Sequence, residues 1–136
     1  MLFRSTSYLS SFRKVTESFE SHIKIFLINL NRNKDRLLTQ INQAKRLKIN
    51  LERFTAYDGQ FLDPNQLITQ RVLHPNNYLK RGQLGCAFSH YKLWLSLKQL
   101  KDPYAIILED DVNIPDNFRT HWNKIYQHLQ IGRAHV

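Results

Sequence analysis

Hydrophobic and polar positions along this chain switch between two periods. Ile23 to Leu30 (IKIFLINL) is apolar at nearly every position, which predicts a strand buried on both faces. From Lys34 to Lys48 the period lengthens: Leu37, Ile41, Ala44 and Leu47 or Lys48 share one stripe, with Lys34, Arg36, Lys45 and Arg46 mostly off it. That is an amphipathic helix, with Asn33 as its expected N-cap. Leu51 to Tyr57 (LERFTAY) predicts a second strand, closed by the turn signal Asp58-Gly59. Strand, helix, strand predicts a parallel pair joined by a right-handed crossover. Asp63-Pro64-Asn65 opens a short helix or a loop, and His74-Pro75-Asn76-Asn77 breaks the pattern again. Gln83 to Leu100 predicts a long helix with Leu84, Ala87, Phe88, Tyr91, Trp94, Leu95 and Leu97 on its apolar face. Asp102-Pro103 should end it, because a residue before proline is pushed out of the helical region. Tyr104 starts a third apolar run. Asn113-Ile114-Pro115-Asp116 then turns into a last helix, Asn117 to Leu129. The order predicts a layered α/β fold, a mostly parallel sheet with flanking helices. Residues 1–21 read as an irregular, Ser-rich leader in which Leu2, Phe3, Tyr8, Leu9 and Phe12 make at most a weak amphipathic helix.

The third strand carries the strongest chemical signal. In YAIILEDDV, Tyr104 to Leu108 run straight into Glu109, Asp110 and Asp111. The polar end of such a strand lies at the carboxyl edge of the sheet, where open α/β folds bind ligands. Side chains alternate along a strand, so Glu109 and Asp111 should share one face and Asp110 the other. Like charges this close raise each other's pKa, and a divalent cation relieves the repulsion. Mg²⁺ or Mn²⁺ prefers such oxygen ligands. The alternative is a solvated strand end where acidic residues merely begin a turn.

Composition adds a charge argument. The chain has 136 residues and an ordinary 42% hydrophobic content, which suits one globular domain and excludes a disordered chain. Twenty basic against eleven acidic residues give a net charge of +9, which points to an anionic partner or only to a soluble surface. The single cysteine, Cys86, excludes an intrachain disulfide. No apolar stretch reaches transmembrane length, and the N-terminus lacks a continuous apolar signal region. These features predict a cytoplasmic protein with peripheral contact to the anionic inner face of the cell membrane.

Other residues are weaker signals one by one. Arg32 and Arg36 follow the first strand at a helix start, where phosphate binds well, or they form a solvent-facing first turn. Asp58-Gly59 would hold a ribose hydroxyl, or is only a turn. In GQLGCAFSHYKLW, Gly82 and Gly85 permit close backbone approach, and Ser89 and His90 place polar groups on an apolar helix. Cys86 and His90 are four apart on one helix face. Two ligands are too few for a metal, so a buried thiol and a hydrogen-bonded histidine are expected.

Taken together, strand-Asn-Leu-Asn-Arg-x3-Arg, ERFTAYDG, GQLGCAFSHYKLW and ILEDDV, in that order over about Ile23 to Phe118, resemble glycosyltransferase family 25. That family contains bacterial lipopolysaccharide and lipooligosaccharide sugar transferases and collagen galactosyltransferases. The resemblance implies a GT-A type, Rossmann-like nucleotide-sugar domain over residues 22–130. It implies an inverting transferase that moves a hexose, galactose or glucose, from a nucleotide diphosphate sugar such as a UDP-hexose to a glycan or lipooligosaccharide acceptor. Glu109, Asp110 and Asp111 would stand for the family's DXD-like motif and hold Mn²⁺ or Mg²⁺. Asn31, Arg32, Arg36, Asp58, Gly59, Ser89 and His90 would contact the donor. The motif begins here with Glu, which leaves the roles within the triplet open.

Family members normally continue well past the acidic strand, whereas 25 residues follow Asp111 here. The domain is therefore expected to be incomplete and inactive alone, with the general base in a further half; His90, Asp110 and Asp58 are weak candidates. The last six residues, IGRAHV (131–136), read as a non-native tail of a gene fragment. Two rivals stand against the transferase. The acidic strand also resembles a response-regulator receiver's pocket, but in receivers that strand comes first. A basic nucleic-acid-binding module would explain the charge, but no zinc pattern, RNA motif or recognition helix accompanies it. No nucleic acid is therefore expected among the partners.

Overall fold

The computed structural model describes residues 23–100 and 104–134. The leader, the helix stop at Asp102-Pro103 and residues 135–136 of the expected tail lie outside them. Strand β1 (Ile23–Asn29) is the centre of a three-stranded parallel sheet. It pairs on one side with β2 (Leu51–Thr55) and on the other with β3 (Tyr104–Glu109). A strand buried on both faces is apolar over most of its length, and Ile25, Phe26, Leu27 and Ile28 are all buried.

The two faces divide by residue parity. Phe26 and Ile28 of β1 and Ala105 of β3 pack against Leu93 and Leu97 of α3 (Arg81–Leu97). Ile25 packs on the opposite face against Ala44 of α1 (Lys34–Leu47), with Ile49 and Ile114. Trp122 of α4 (Phe118–Ala134) covers Ile23 and Tyr104. A short helix, α2 (Pro64–Thr69), starts at Asp63, whose side chain accepts from the Asn65 N–H. Going from β1 to β2 through α1, and back across β1 to β3 through α3, places the helices on opposite faces. The result is a Rossmann-like, GT-A type α/β domain whose chain reverses direction about β1. In such sheets the crevice at the carboxyl ends of the strands flanking the reversal is the ligand position.

Several predicted details change. Strand β2 ends at Thr55, two residues early; the Ala56 N–H still donates to the Asn29 carbonyl, and the chain then leaves the sheet. Helix α3 begins at Arg81 and ends at Leu97, before the predicted proline stop. Its buried residues are Leu84, Gly85, Ser89, Leu93 and Leu97, while Ala87, Tyr91 and Leu95 of the predicted apolar face are exposed. Helix α4 runs on through Ala134. Asn33 occupies the N-cap position of α1, but its side chain makes no capping bond. No helix among the described residues is long and apolar enough to cross a membrane.

Candidate active site

The register of the sheet sets the site. Ile28 lies opposite Glu109, so Asn29 and Asp110 come next along their strands. Glu109 falls on the α3 face, and its carboxylate accepts from Cys86 Sγ (3.4 Å) and pairs with His90 Nε2 (3.0 Å). Asp110 turns toward α1. It accepts from Asn29 Nδ2 at 2.7 Å and from Arg36 at 3.3 Å. The strand ends at Glu109, and Asp110 and Asp111 form a turn. The expected acidic triplet is therefore split. Asp111 is exposed and close enough to act on the Cys86 thiol, as Glu109 does, while Asp110 points the other way.

Buried amides hold the turn in place. Asn29 is 1% exposed and Gln40 is 1% exposed; Asn29 opens the Asn-Leu-Asn-Arg motif but was given no role there, and Gln40 did not stand out in the sequence. Asn29 donates to Asp110 and to the Asn33 carbonyl (3.1 Å), and accepts from Arg53 Nε (3.1 Å). Gln40 Nε2 donates to the Asp110 and Val112 carbonyls (3.2 and 2.7 Å). Gln43 donates to the same Val112 carbonyl and accepts from the Ile114 N–H. Apart from the place of Asn29 in that motif, a polar residue inside an apolar strand run or helical stripe was the sequence signal these three gave.

An open cleft lies over the carboxyl ends of β1 and β3. Arg32, Asn33, Arg36, Tyr57, Asp58, Gly59, Gly82, Gly85, Cys86, Ser89, Glu109 and Asp110 are in its wall. Arg32 pairs with Asp58, and Arg36 with Asp110. Asp58 also caps the following 3-10 turn by accepting from the Gln60 N–H. Asn31, an expected donor contact, is not in the wall; its Oδ1 accepts from Arg53 Nη2 at 2.7 Å.

The loop after β2 rests directly on the start of α3. A Cβ on Gly85 would come within 2.7 Å of the Tyr57 carbonyl oxygen, so glycine is needed there. Gly82 faces open space and needs no such reason. Ser89, expected to touch the donor, is fully buried; its hydroxyl accepts from the Tyr57 N–H (2.8 Å) and donates to the Gly85 carbonyl (2.6 Å). Both roles are internal, so Ser89 positions the loop that carries Tyr57 and Asp58.

His90 is hydrogen-bonded, as expected, but Cys86 is exposed where a buried thiol was expected. Partial desolvation, together with the Glu109 and Asp111 carboxylates, pushes its pKa up. The bond to His90 holds the Glu109 carboxyl below its usual range, so it stays ionised at neutral pH. A raised pKa means less thiolate. Cys86 is therefore expected to react with iodoacetamide more slowly than an unstructured cysteine at about pH 8. Glu109→Gln should speed the reaction. A pH–rate profile with its midpoint below the ordinary cysteine value would contradict this.

Comparison with known proteins identifies the family. The family described as "Glycosyltransferase family 25 (LPS biosynthesis protein)" matches residues 22–135. The chain belongs to glycosyltransferase family 25. It is similar to a putative glycosyltransferase of Acanthamoeba polyphaga mimivirus, with 32% identity over 85% of this chain and 36% of that protein. It is similar to a glycosyltransferase 25 family member of Drosophila melanogaster, with 32% identity over 79% of this chain and 19% of the fly protein. It is also similar to human procollagen galactosyltransferase 2, with 28% identity over 78% of this chain and 18% of that protein. The chain thus spans well under half the length of these family 25 relatives. The match spans all the described residues and supports a glycosyltransferase over the receiver and nucleic-acid readings.

Proposed function

We propose that this chain is the donor-binding half of a transferase that moves a hexose, galactose or glucose, with inversion, from a nucleoside diphosphate to a glycan hydroxyl. The acceptor would be a lipopolysaccharide, lipooligosaccharide or related glycan. One observation carries the reading: two arginines and an ionised acidic strand end converge on a single cleft at the reversal point of the sheet. Arg32 and Arg36 would meet the diphosphate at the first turn of α1. Tyr57, 38% exposed with its ring edge-on to Phe88, offers aromatic surface for the base.

The donor set suits a hard divalent cation. Glu109 and Asp111 present exposed carboxylate oxygens on the α3 side, the ligand type Mg²⁺ and Mn²⁺ prefer. Such an ion, when bound, supplies neutralisation of charge on the leaving diphosphate. Asp110 would serve differently, holding Arg36 and the turn in place, because its carboxylate is already engaged by Asn29 and Arg36. His90 is held by Glu109, which makes it a supporting residue here, and the general base would lie outside this cleft.

Calorimetry of the chain with UDP, with and without Mn²⁺, tests this reading. Binding is expected to depend on Mn²⁺. Asp111→Asn removes a charged ligand, a contact of about 1.5–3 kcal/mol, and should weaken Mn²⁺-dependent binding about 10- to 100-fold. Arg32→Ala with Arg36→Ala should weaken binding while moving the melting temperature little, because both arginine side chains are more than half exposed, Asp58 keeps its bond from the Gln60 N–H, and Asp110 keeps its bond from Asn29. Unchanged Mn²⁺-dependent affinity in Asp111→Asn would remove the metal assignment.

A further inference from the structure

At the cleft rim, Cys86, His90 and Glu109 bring one sulfur, one nitrogen and one oxygen ligand atom within 4.8 Å of one another. From these three residues we infer a second kind of metal site, a three-ligand site for Zn²⁺ or Co²⁺, distinct in chemistry from the carboxylate site for Mg²⁺ or Mn²⁺. Helical spacing puts Cys86 and His90 on one face of α3. The sheet register then delivers Glu109 against that face.

The distances fit. Tetrahedral zinc with ordinary bond lengths sets S···O at about 3.5 Å and N···O at about 3.3 Å. The observed separations are 3.4 Å from Cys86 Sγ to Glu109 Oε1 and 3.0 Å from His90 Nε2 to the same oxygen. An ion entering between them replaces both hydrogen bonds with ligand bonds. The thiol proton leaves to solvent, and His90 binds as the neutral imidazole through Nε2. No redox step is involved. Mg²⁺ and Mn²⁺ have little use for a thiolate, whereas Zn²⁺ and Co²⁺ accept mixed sulfur, nitrogen and oxygen sets. Three protein ligands leave a fourth tetrahedral position for solvent, since Cys86 and Glu109 are both exposed.

The site shares Glu109 with the proposed donor-bound cation. Zinc would withdraw that carboxylate, so micromolar Zn²⁺ should oppose Mn²⁺-dependent nucleotide binding. The direct test needs no nucleotide, so its failure and that of the donor reading are separable. Co²⁺ is titrated into the reduced 136-residue chain and followed by absorption. A thiolate-to-cobalt charge-transfer band in the near ultraviolet is expected, with intense tetrahedral visible bands that one equivalent of Zn²⁺ abolishes. Cys86→Ser should lose the charge-transfer band, and His90→Ala should weaken Co²⁺ affinity at least tenfold. Because Cys86 is exposed, Cys86→Ser should fold, and its circular dichroism spectrum checks that. A wild-type cobalt spectrum matching that of Cys86→Ser, or the weak bands of octahedral cobalt, would overturn the site.

Discussion

Replacing Gly59 with alanine is expected to lower the melting temperature by roughly 10 °C, the equivalent of about 3 kcal/mol in a domain of this size. The added Cβ would lie 1.7 Å from the Arg81 carbonyl oxygen, 2.6 Å from its carbon and 3.0 Å from the Gly85 nitrogen. All three are backbone atoms at the start of α3, so no side chain can swing aside. The loop must lift instead, and with it goes the 2.8 Å bond from the Tyr57 N–H to Ser89. Asp58 and Tyr57 then leave the cleft wall, so nucleotide binding should fall along with stability. Gly82→Ala is the control. Nothing lies within 4 Å of its added methyl, and alanine favours the helix by about 0.5–1 kcal/mol. Thermal melts of the two variants decide the matter; equal losses would show that the loop does not rest on α3 as described.

Asn29→Leu, which keeps the branching and number of side-chain heavy atoms, should be strongly damaging. Asn29 is buried and uses both its donor and acceptor atoms, holding Asp110, Arg53 and the Asn33 carbonyl. Leucine removes all of these bonds at once. It leaves the Asp110 carboxylate, whose side chain is 11% exposed, with only the Arg36 contact at 3.3 Å and no buried donor. Removing one partner of a charged, largely buried hydrogen bond costs about 3 kcal/mol. Urea unfolding should show a lower midpoint with an unchanged slope. Metal-dependent nucleotide affinity should fall even well below that midpoint, because the acidic turn loses the anchor that aims it. A wild-type midpoint in Asn29→Leu would remove Asn29 as the hub of the site.

Much of the scaffold was legible because burial on both faces demands apolar residues at most positions. Runs such as IKIFLIN and YAIILE admit few other readings, and the strand-helix-strand order makes the sheet parallel. The face of α3 was misread for a physical reason. Its largest apolar residues looked like the core, but the helix has to approach the Tyr57–Gly59 loop closely. The inward positions near that loop are therefore Gly85 and Ser89, while Tyr91 and Leu95 stay at the surface. Periodicity records how hydrophobic a face is, not how near its neighbour comes.

The amino-acid order by itself determined the family motifs, the parallel core and the acidic end of the third strand, since each follows from local pattern and the two-residue strand repeat. Strand alternation already set Glu109 and Asp111 apart from Asp110, and tertiary structure alone decided which partners each side meets. The register of β3 against β1 sends Glu109 toward Cys86 and His90, and Asp110 toward Asn29 and Arg36. It also decided that Gln40 and Gln43 of α1 grip the turn after β3 across about 70 residues of chain. Those pairings depend on long-range packing. A sequence read one element at a time contains the donors and acceptors but not the distances between them.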